Sequence, residues 1–482
     1  MCCCDATAVL GWRRASPARK SYSTRPTNSG RPGGRAGTPP ARHRPRTGSR
    51  SNWPTTGTEW RCRGDLIDRI LLAANWFRAN LVQEAAVEGF VEDGFEPVRD
   101  AFALAQNGDE GAAQLCVYSG GEAVVDLWTG QDPISGKIWD GDSLAVQMSV
   151  SKGVTATCVH MLVERGQLDI DAPVREYWPE FAAGGKSDIT VAQLLSHRAG
   201  LSSFDPEAGI GVQELTDWSA CVAALEPMVP LWQPGTAIYY HSITWGYLAG
   251  ELIRRVSGKG VGDFLAAEIA EPLGLSLWIG LPESEEDRVV PQFHRDRWPG
   301  AAEVEAALAG MGIDVTARLV RATLGTVATR DAGIELLNTR AGHAAEVPAG
   351  NAIGNARSLA RMYAATIGEV DGVRLLSPDT VDRARQPQTD GLSHPAPLNV
   401  LPVTHRFACG YELTRPVSPM LGDGSFGHLG TGGRLAFAHP ESGVAVAYSC
   451  TNMTGDDSVG PDPRWLPWLA ALREIFETRK PL

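Results

Sequence analysis

From Gly111 onward, apolar and polar positions along the chain fall into readable periods. Ala112–Ser119 (AAQLCVYS) and Glu122–Gly130 (EAVVDLWTG) are two β-rich runs joined at Gly120-Gly121. That dipeptide can supply the positive φ angles of a tight turn, so the pair predicts an antiparallel hairpin. A second pair returns near the far end, where Arg434–His439 and Val444–Asn452 flank Pro440-Glu441-Ser442-Gly443. Between them helical spacing predicts helices over Val150–Arg165 ending at Gly166, Ile189–Leu195, Thr244–Val256 ending near Gly258, and Ser358–Ile367. The closing stretch Trp465–Thr478 also has helical spacing and can pack on a sheet. Strands at both ends with helices between imply a mixed α/β (α+β) fold. Its antiparallel sheet joins the first and last strands, is flanked by helices, and carries an inserted all-helical lobe. Residues 282–350 mix charge, Gly and Ala-rich helical pieces and are assigned to that lobe or to an insertion. No internal repeat is apparent.

Composition sharpens this picture mainly at the start of the chain. The 482 residues are 43% hydrophobic and 21% charged, the balance of a globular protein, with a net charge of -12 that argues against a nucleic-acid-binding surface. Residues 1–65 depart from it, with 13 Lys and Arg against 3 Asp and Glu. From Gly11 to Thr58 this head is Arg, Pro, Ser, Gly and Thr with almost no aliphatic side chains, so it cannot bury enough surface to offset chain entropy. It is expected to be disordered and no part of the fold. Its charges follow the short apolar opening rather than precede it, the wrong order for a secretory signal. Residues 66–89 then read as an amphipathic helical lead-in, because Leu66–Val82 is interrupted by Asp68, Arg69 and Arg78 and cannot span a membrane. The expected folded domain covers 90–478. Nine scattered cysteines lack CxxC pairing, which suits free thiols in a reducing, cytoplasmic setting. The ten histidines show no HExxH spacing and no glycine-rich nucleotide loop follows a strand, so neither metal nor organic cofactor is implied.

Three short motifs carry candidate chemistry. Ser149-Val150-Ser151-Lys152 opens a predicted helix. Residues three apart share a helix face, so the Lys152 ammonium can return to the Ser149 hydroxyl, whereas Ser151 points about 100° away from Lys152. Ser149 is thus the nucleophile candidate, although a serine at a helix start is most often an N-cap. Tyr240-His241-Ser242 follows a Pro-Gly turn and precedes a helix. A phenol beside an ammonium releases its proton more readily, which suits Tyr240 as general base, with Ser242 completing a hydrogen-bond link to Lys152. Taken alone, the tyrosine would more often be packing and the serine a helix cap. Gly427-His428-Leu429-Gly430-Thr431-Gly432-Gly433 precedes the strand at Arg434. Small residues such as Gly430 let a strand edge approach a substrate, the N–H groups of Thr431 and Ser149 can form an oxyanion hole, and His428 can donate to the substrate. In isolation this is a glycine-rich loop with a solvated histidine.

In this order the three motifs resemble the serine β-lactamase and penicillin-binding superfamily, on the branch of class C β-lactamases and family VIII carboxylesterases. Leu168–Phe181, Leu194–Leu201 and Gly350–Ala365 look like that branch too, and the resemblance runs from about Phe90 to Glu474. It implies Ser149 as acylated nucleophile, Lys152 and Tyr240 as base pair, and the Thr431 and Ser149 amides as oxyanion hole. The family usually carries Tyr-x-Asn where this chain has Ser242, and Lys-Thr-Gly where it has His428-Leu429-Gly430. Losing the lysine charge and the threonine hydroxyl weakens recognition of a β-lactam carboxylate and leaves a slot suited to small neutral esters. The expected function is a serine carboxylesterase acting on a small-molecule ester or amide. Its rivals are a β-lactamase or D-Ala-D-Ala peptidase, an acyltransferase, and a non-catalytic binder. His197 and His241 are expected to support the site, and Trp232 or Trp245 either to line an acyl pocket or to pack in the core.

Overall fold

The computed structural model describes residues 86–294, 298–454 and 460–478. The basic head and nearly all of the helical lead-in lie outside them. The chain begins with strand β1 (Glu88–Val91), helix α1 (Glu96–Gln106), the hairpin β2 (Ala113–Ser119) and β3 (Glu122–Thr129), and β4 (Ala145–Val146). The long helix α2 (Val150–Glu164) follows, then α3 (Val191–Leu195), α4 (Trp218–Leu225), α5 (Thr244–Ser257), α6 (Val261–Leu265) and β5 (Leu277–Trp278). Next come α7 (Ala301–Gly310), α8 (Arg318–Leu336), β6 (Ile353–Gly354), α9 (Ala356–Ile367), α10 (Pro378–Ala384) and β7 (Glu412–Leu413). Strands β8 (Phe426–Gly430), β9 (Arg434–His439) and β10 (Val444–Cys450) and helix α11 (Leu466–Thr478) complete it.

Seven strands form one antiparallel sheet in the order β1-β3-β2-β10-β9-β8-β7, so the early hairpin and the late one meet at β2 and β10. Val446 stands opposite Val117 on one side and Phe437 on the other. Alternation sends the two faces to different partners. Leu115, Val117, Leu435, Phe437, Val444 and Val446 pack with α1 and α11. Cys116, Ala436, Ala438, Ala445 and Ala447 face the other way, into the core shared with α2 and α9, and their small side chains let those helices lie close. Both faces of the sheet are therefore buried.

Several boundaries differ from the periodic reading, each for a local reason. β1 was missed, and it pairs with the edge of β3 across the expected limit between lead-in and domain. Helix α3 starts at Val191, because the Thr190 hydroxyl accepts the Gln193 N–H in a capping box. Helix α9 starts two residues early, because the Asn355 side chain accepts the Ser358 N–H. The unclear stretch 282–350 contains α7 and α8, whose Val304, Leu308, Leu319 and Val320 form a small core of their own with Tyr239, Leu398 and Leu401. Leu472 on α11 is fully buried against the sheet. Leu472→Ala is expected to lower the unfolding free energy by about 2–5 kcal/mol in urea titration.

Candidate active site

Ser149 sits where β4 hands over to α2. The preceding residue, Met148, holds a φ of 50°, a left-handed conformation that costs a non-glycine residue about 1–3 kcal/mol and needs support around it. Gln147 supplies that support. Its N–H donates to the Ala352 carbonyl at 2.8 Å, and its side-chain Nε2 donates to the carbonyls of Ala145 and Gly354 and to Ser449 Oγ. The Ser149 side chain makes no capping bond, so its hydroxyl is not spent as an N-cap. Ser151 is turned away as the helical spacing requires: its hydroxyl donates to the Met148 carbonyl and accepts the Ala352 N–H.

Lys152 and Tyr240 converge on Ser149. The Lys152 ammonium lies 3.2 Å from Ser149 Oγ and donates to the Ala349 carbonyl at 2.9 Å. Tyr240 Oη lies 3.0 Å from the same Oγ. The ammonium is also 4.9 Å from the Tyr240 ring centroid. All three side chains are buried. The tyrosine ring is clamped by Phe407 and His405, stacked at centroid distances of 5.8 Å and 4.9 Å, and by His197 at 4.9 Å. His197 Nδ1 accepts the His241 N–H, and His241 Nε2 accepts the Leu201 N–H, so both imidazoles support the site as expected. Burial holds them neutral. It pushes His241 down to about 3 and takes His197 well below the ordinary imidazole value, with His241 and Lys152 adding to the shift.

The remaining expectations are met in part. Ser242 lies beside Ser149 in a narrow, mostly apolar cavity of about 10 Å³ with Ile243, Leu336 and Leu337. It does not reach Lys152, however, and its buried Oγ has no hydrogen-bond partner among the described residues. The ammonium is held instead by the Ala349 carbonyl, a backbone group no side-chain motif announces. His428 is not on a solvated loop. It occupies β8, buried, with Nδ1 2.6 Å from the Leu429 carbonyl. A carbonyl only accepts, so Nδ1 carries the proton and the imidazole, pushed down to about 4 by burial, presents Nε2 as an acceptor. That corrects the expectation of a donor. Behind it, Glu412 accepts the Leu429 N–H at 2.9 Å and pairs with Arg415, a buried pair that sequence reasoning missed.

Gly430 is required by closeness to the protein itself: a Cβ there would lie 2.5 Å from the Gln147 carbonyl oxygen. The turn after it brings Thr431, whose carbonyl accepts from Arg434 at 2.9 Å. Trp465 Nε1 fixes the same turn through the Gly433 carbonyl. Trp245 is fully buried and donates to the Leu195 carbonyl, so it packs in the lobe rather than lining an acyl pocket. Trp232 packs edge-on against Tyr239 and His241. Among the described residues no group of three His, Cys, Asp or Glu side chains is placed to hold a metal.

A hydroxyl freed from capping, with an ammonium and a phenol in reach beside an antiparallel sheet flanked by helices, is the equipment of a serine hydrolase. Residues 98–466 match the family profile described as Beta-lactamase, and the chain belongs to that family. Among curated proteins it is 34% identical over 343 residues to "Esterase/beta-lactamase LipL" of Mycobacterium tuberculosis, covering 70% of this chain and 76% of that one. Among solved structures it is similar to a family VIII carboxylesterase, with a TM-score of 0.69 and 32% identity over 81% of this chain and 100% of the other. A penicillin-binding protein homolog from Caulobacter crescentus matches with the same TM-score and coverage at 33% identity.

The neutral histidines make stability depend on pH. His160, His241 and His428 are pushed from an ordinary 6.5 down to about 4, 3 and 4, chiefly by burial. Between those values and 6.5 the unfolded chain binds protons that the folded chain does not. Their contribution is complete above about pH 6.5 and is lost as the pH falls toward 4, by up to about 1.4 kcal/mol per pH unit for each imidazole. The urea midpoint is expected to fall between pH 7 and pH 5; an unchanged or rising midpoint would contradict these assignments.

Proposed function

We propose that the protein is a carboxylesterase that works through an acyl-enzyme on Ser149. The observation that carries this reading is the placement of Ser149 Oγ within 3.2 Å of Lys152 Nζ and 3.0 Å of Tyr240 Oη. In the proposed reaction the serine oxygen attacks the ester carbonyl while its proton passes to the Tyr240 oxygen, which acts as a phenolate held beside the Lys152 ammonium. The oxyanion takes hydrogen bonds from the Ser149 and Thr431 N–H groups, at the start of α2 where the helix dipole also favours negative charge. The pair then protonates the departing alcohol, and water releases the acid by the same route in reverse. The Lys152 charge, buried beside both oxygens, stabilises each anionic stage.

Two features favour neutral esters over β-lactams: His428 takes the place of the family lysine without a charge, and Leu429, in place of the family threonine, turns into the core on the far side of the sheet. The similarity to a family VIII carboxylesterase and to a relative named as an esterase supports the same choice. We further propose a hydrolase domain over residues 90–478, extended to Glu88 by the start of β1, with the basic head dispensable for turnover. A cytoplasmic location is in keeping with the five buried free thiols among the described residues. Among the described residues no helix is long and apolar enough to cross a membrane.

Hydrolysis of p-nitrophenyl butyrate tests the proposal. Ser149→Ala is expected to fall to background, and Lys152→Ala and Tyr240→Phe to lose about 10²–10⁴-fold in kcat/KM. Wild-type turnover retained by Ser149→Ala, or nitrocefin cleaved as efficiently as the ester, would overturn it.

A further inference from the structure

The two ring nitrogens of His428 have different fates. Along β8, Phe426 and His428 face α2, while Leu429 between His428 and Gly430 joins the opposite core. The His428 Cβ stands 3.6 Å from where a Cβ on Gly153, the residue after Lys152, would lie. Its ring centroid is 6.2 Å from that of Tyr240. The imidazole therefore lies on the catalytic side of the sheet. Nδ1 is committed to the Leu429 carbonyl of its own strand, with the Glu412 carboxylate 3.9 Å away on the same side. Nε2, at the other end of the ring, is buried and has no hydrogen-bond partner among the described residues. Ser242 Oγ, in the cavity with Ser149, is in the same condition. Buried polar atoms are seldom left unpaired in a native protein, and at a binding site the ligand supplies the partner.

We propose that His428 Nε2 accepts a hydrogen bond from the substrate, and that the enzyme selects esters carrying a donor, a free hydroxyl or N–H, a few atoms from the scissile carbonyl. The proposal rests on the reading of Ser149 as the acylated residue. A lone pair at this position also repels a carboxylate, the reverse of what a lysine there would do. Glu412 reinforces the arrangement: it accepts the Leu429 N–H and so anchors the residue whose carbonyl sets the tautomer.

The test compares two esters of equal size, 2-hydroxyethyl butyrate and propyl butyrate, with p-nitrophenyl butyrate run alongside. Wild type is expected to prefer the hydroxyethyl ester by about tenfold or more in kcat/KM. In His428→Leu that ratio is expected to fall to about one, whatever the absolute rate, and His428→Gln, whose amide oxygen can accept, to recover part of it. A wild-type ratio near one overturns the proposal without any variant, and so does a ratio unchanged in His428→Leu. If p-nitrophenyl butyrate is cleaved while the ratio is near one, only the role of His428 is lost. If wild type cleaves none of the three, the esterase reading fails and the proposal falls with it.

Discussion

The turn Gln147-Met148-Ser149 is the point on which both halves of the molecule bear. Met148 holds a left-handed conformation that the local sequence does not favour, and it persists because Gln147 is bonded on several sides. One of those bonds reaches Ser449 on β10, in the seven-stranded sheet, and another reaches Gly354 on β6, the middle strand of a three-stranded sheet with β4 and β5. The Gln147 carbonyl in turn lies so close to β8 that only glycine fits at position 430. The strained turn lifts the Ser149 hydroxyl away from capping and aims it at Lys152 and Tyr240. A strand edge carrying Thr431 is brought up beside it by the same contact. Strain of this kind is tolerated where surrounding structure over-determines it.

The Lys152 ammonium is buried among neutral rings, and the ions nearest to those rings, Glu412 and Arg415, are paired with each other. Lys152 stands among imidazoles that burial keeps uncharged, so none of them would compete with it for the anion formed in the proposed acyl transfer. Tyr240 is gripped between Phe407, His405 and His197 and can change protonation without changing place. That pre-organisation, rather than any strength of the serine as a nucleophile, is what the fold contributes.

Much of this was legible in the chain. The two Gly-turned hairpins, the α2 helix and its Ser-x-x-Lys spacing, and the closing helix follow from local periodicity, and the structure places them as read. The third motif was only half legible. Glycines around His428 look like a loop, yet Gly427 and Gly430 lie in β8 because neighbouring backbone comes too close for a side chain. The direction of the His428 hydrogen bond depends on a backbone carbonyl, as does the anchoring of Lys152 by Ala349, and carbonyls have no signature in a sequence. The expected Ser242 to Lys152 link failed for that reason: a backbone oxygen took the place assigned to the hydroxyl. Edge strand β1 is four residues long and lacks alternation strong enough to announce it.

In the proposed reaction the hydroxyl of Ser149, alone among the serines of the site, becomes covalently acylated. Labelling with a fluorophosphonate, followed by intact mass and peptide mapping, tests it most directly. One adduct per chain is expected, on the peptide at Ser149, and none in Ser149→Ala. An adduct mapped to Ser151 or Ser242, or stoichiometric labelling that persists in Ser149→Ala, would contradict it.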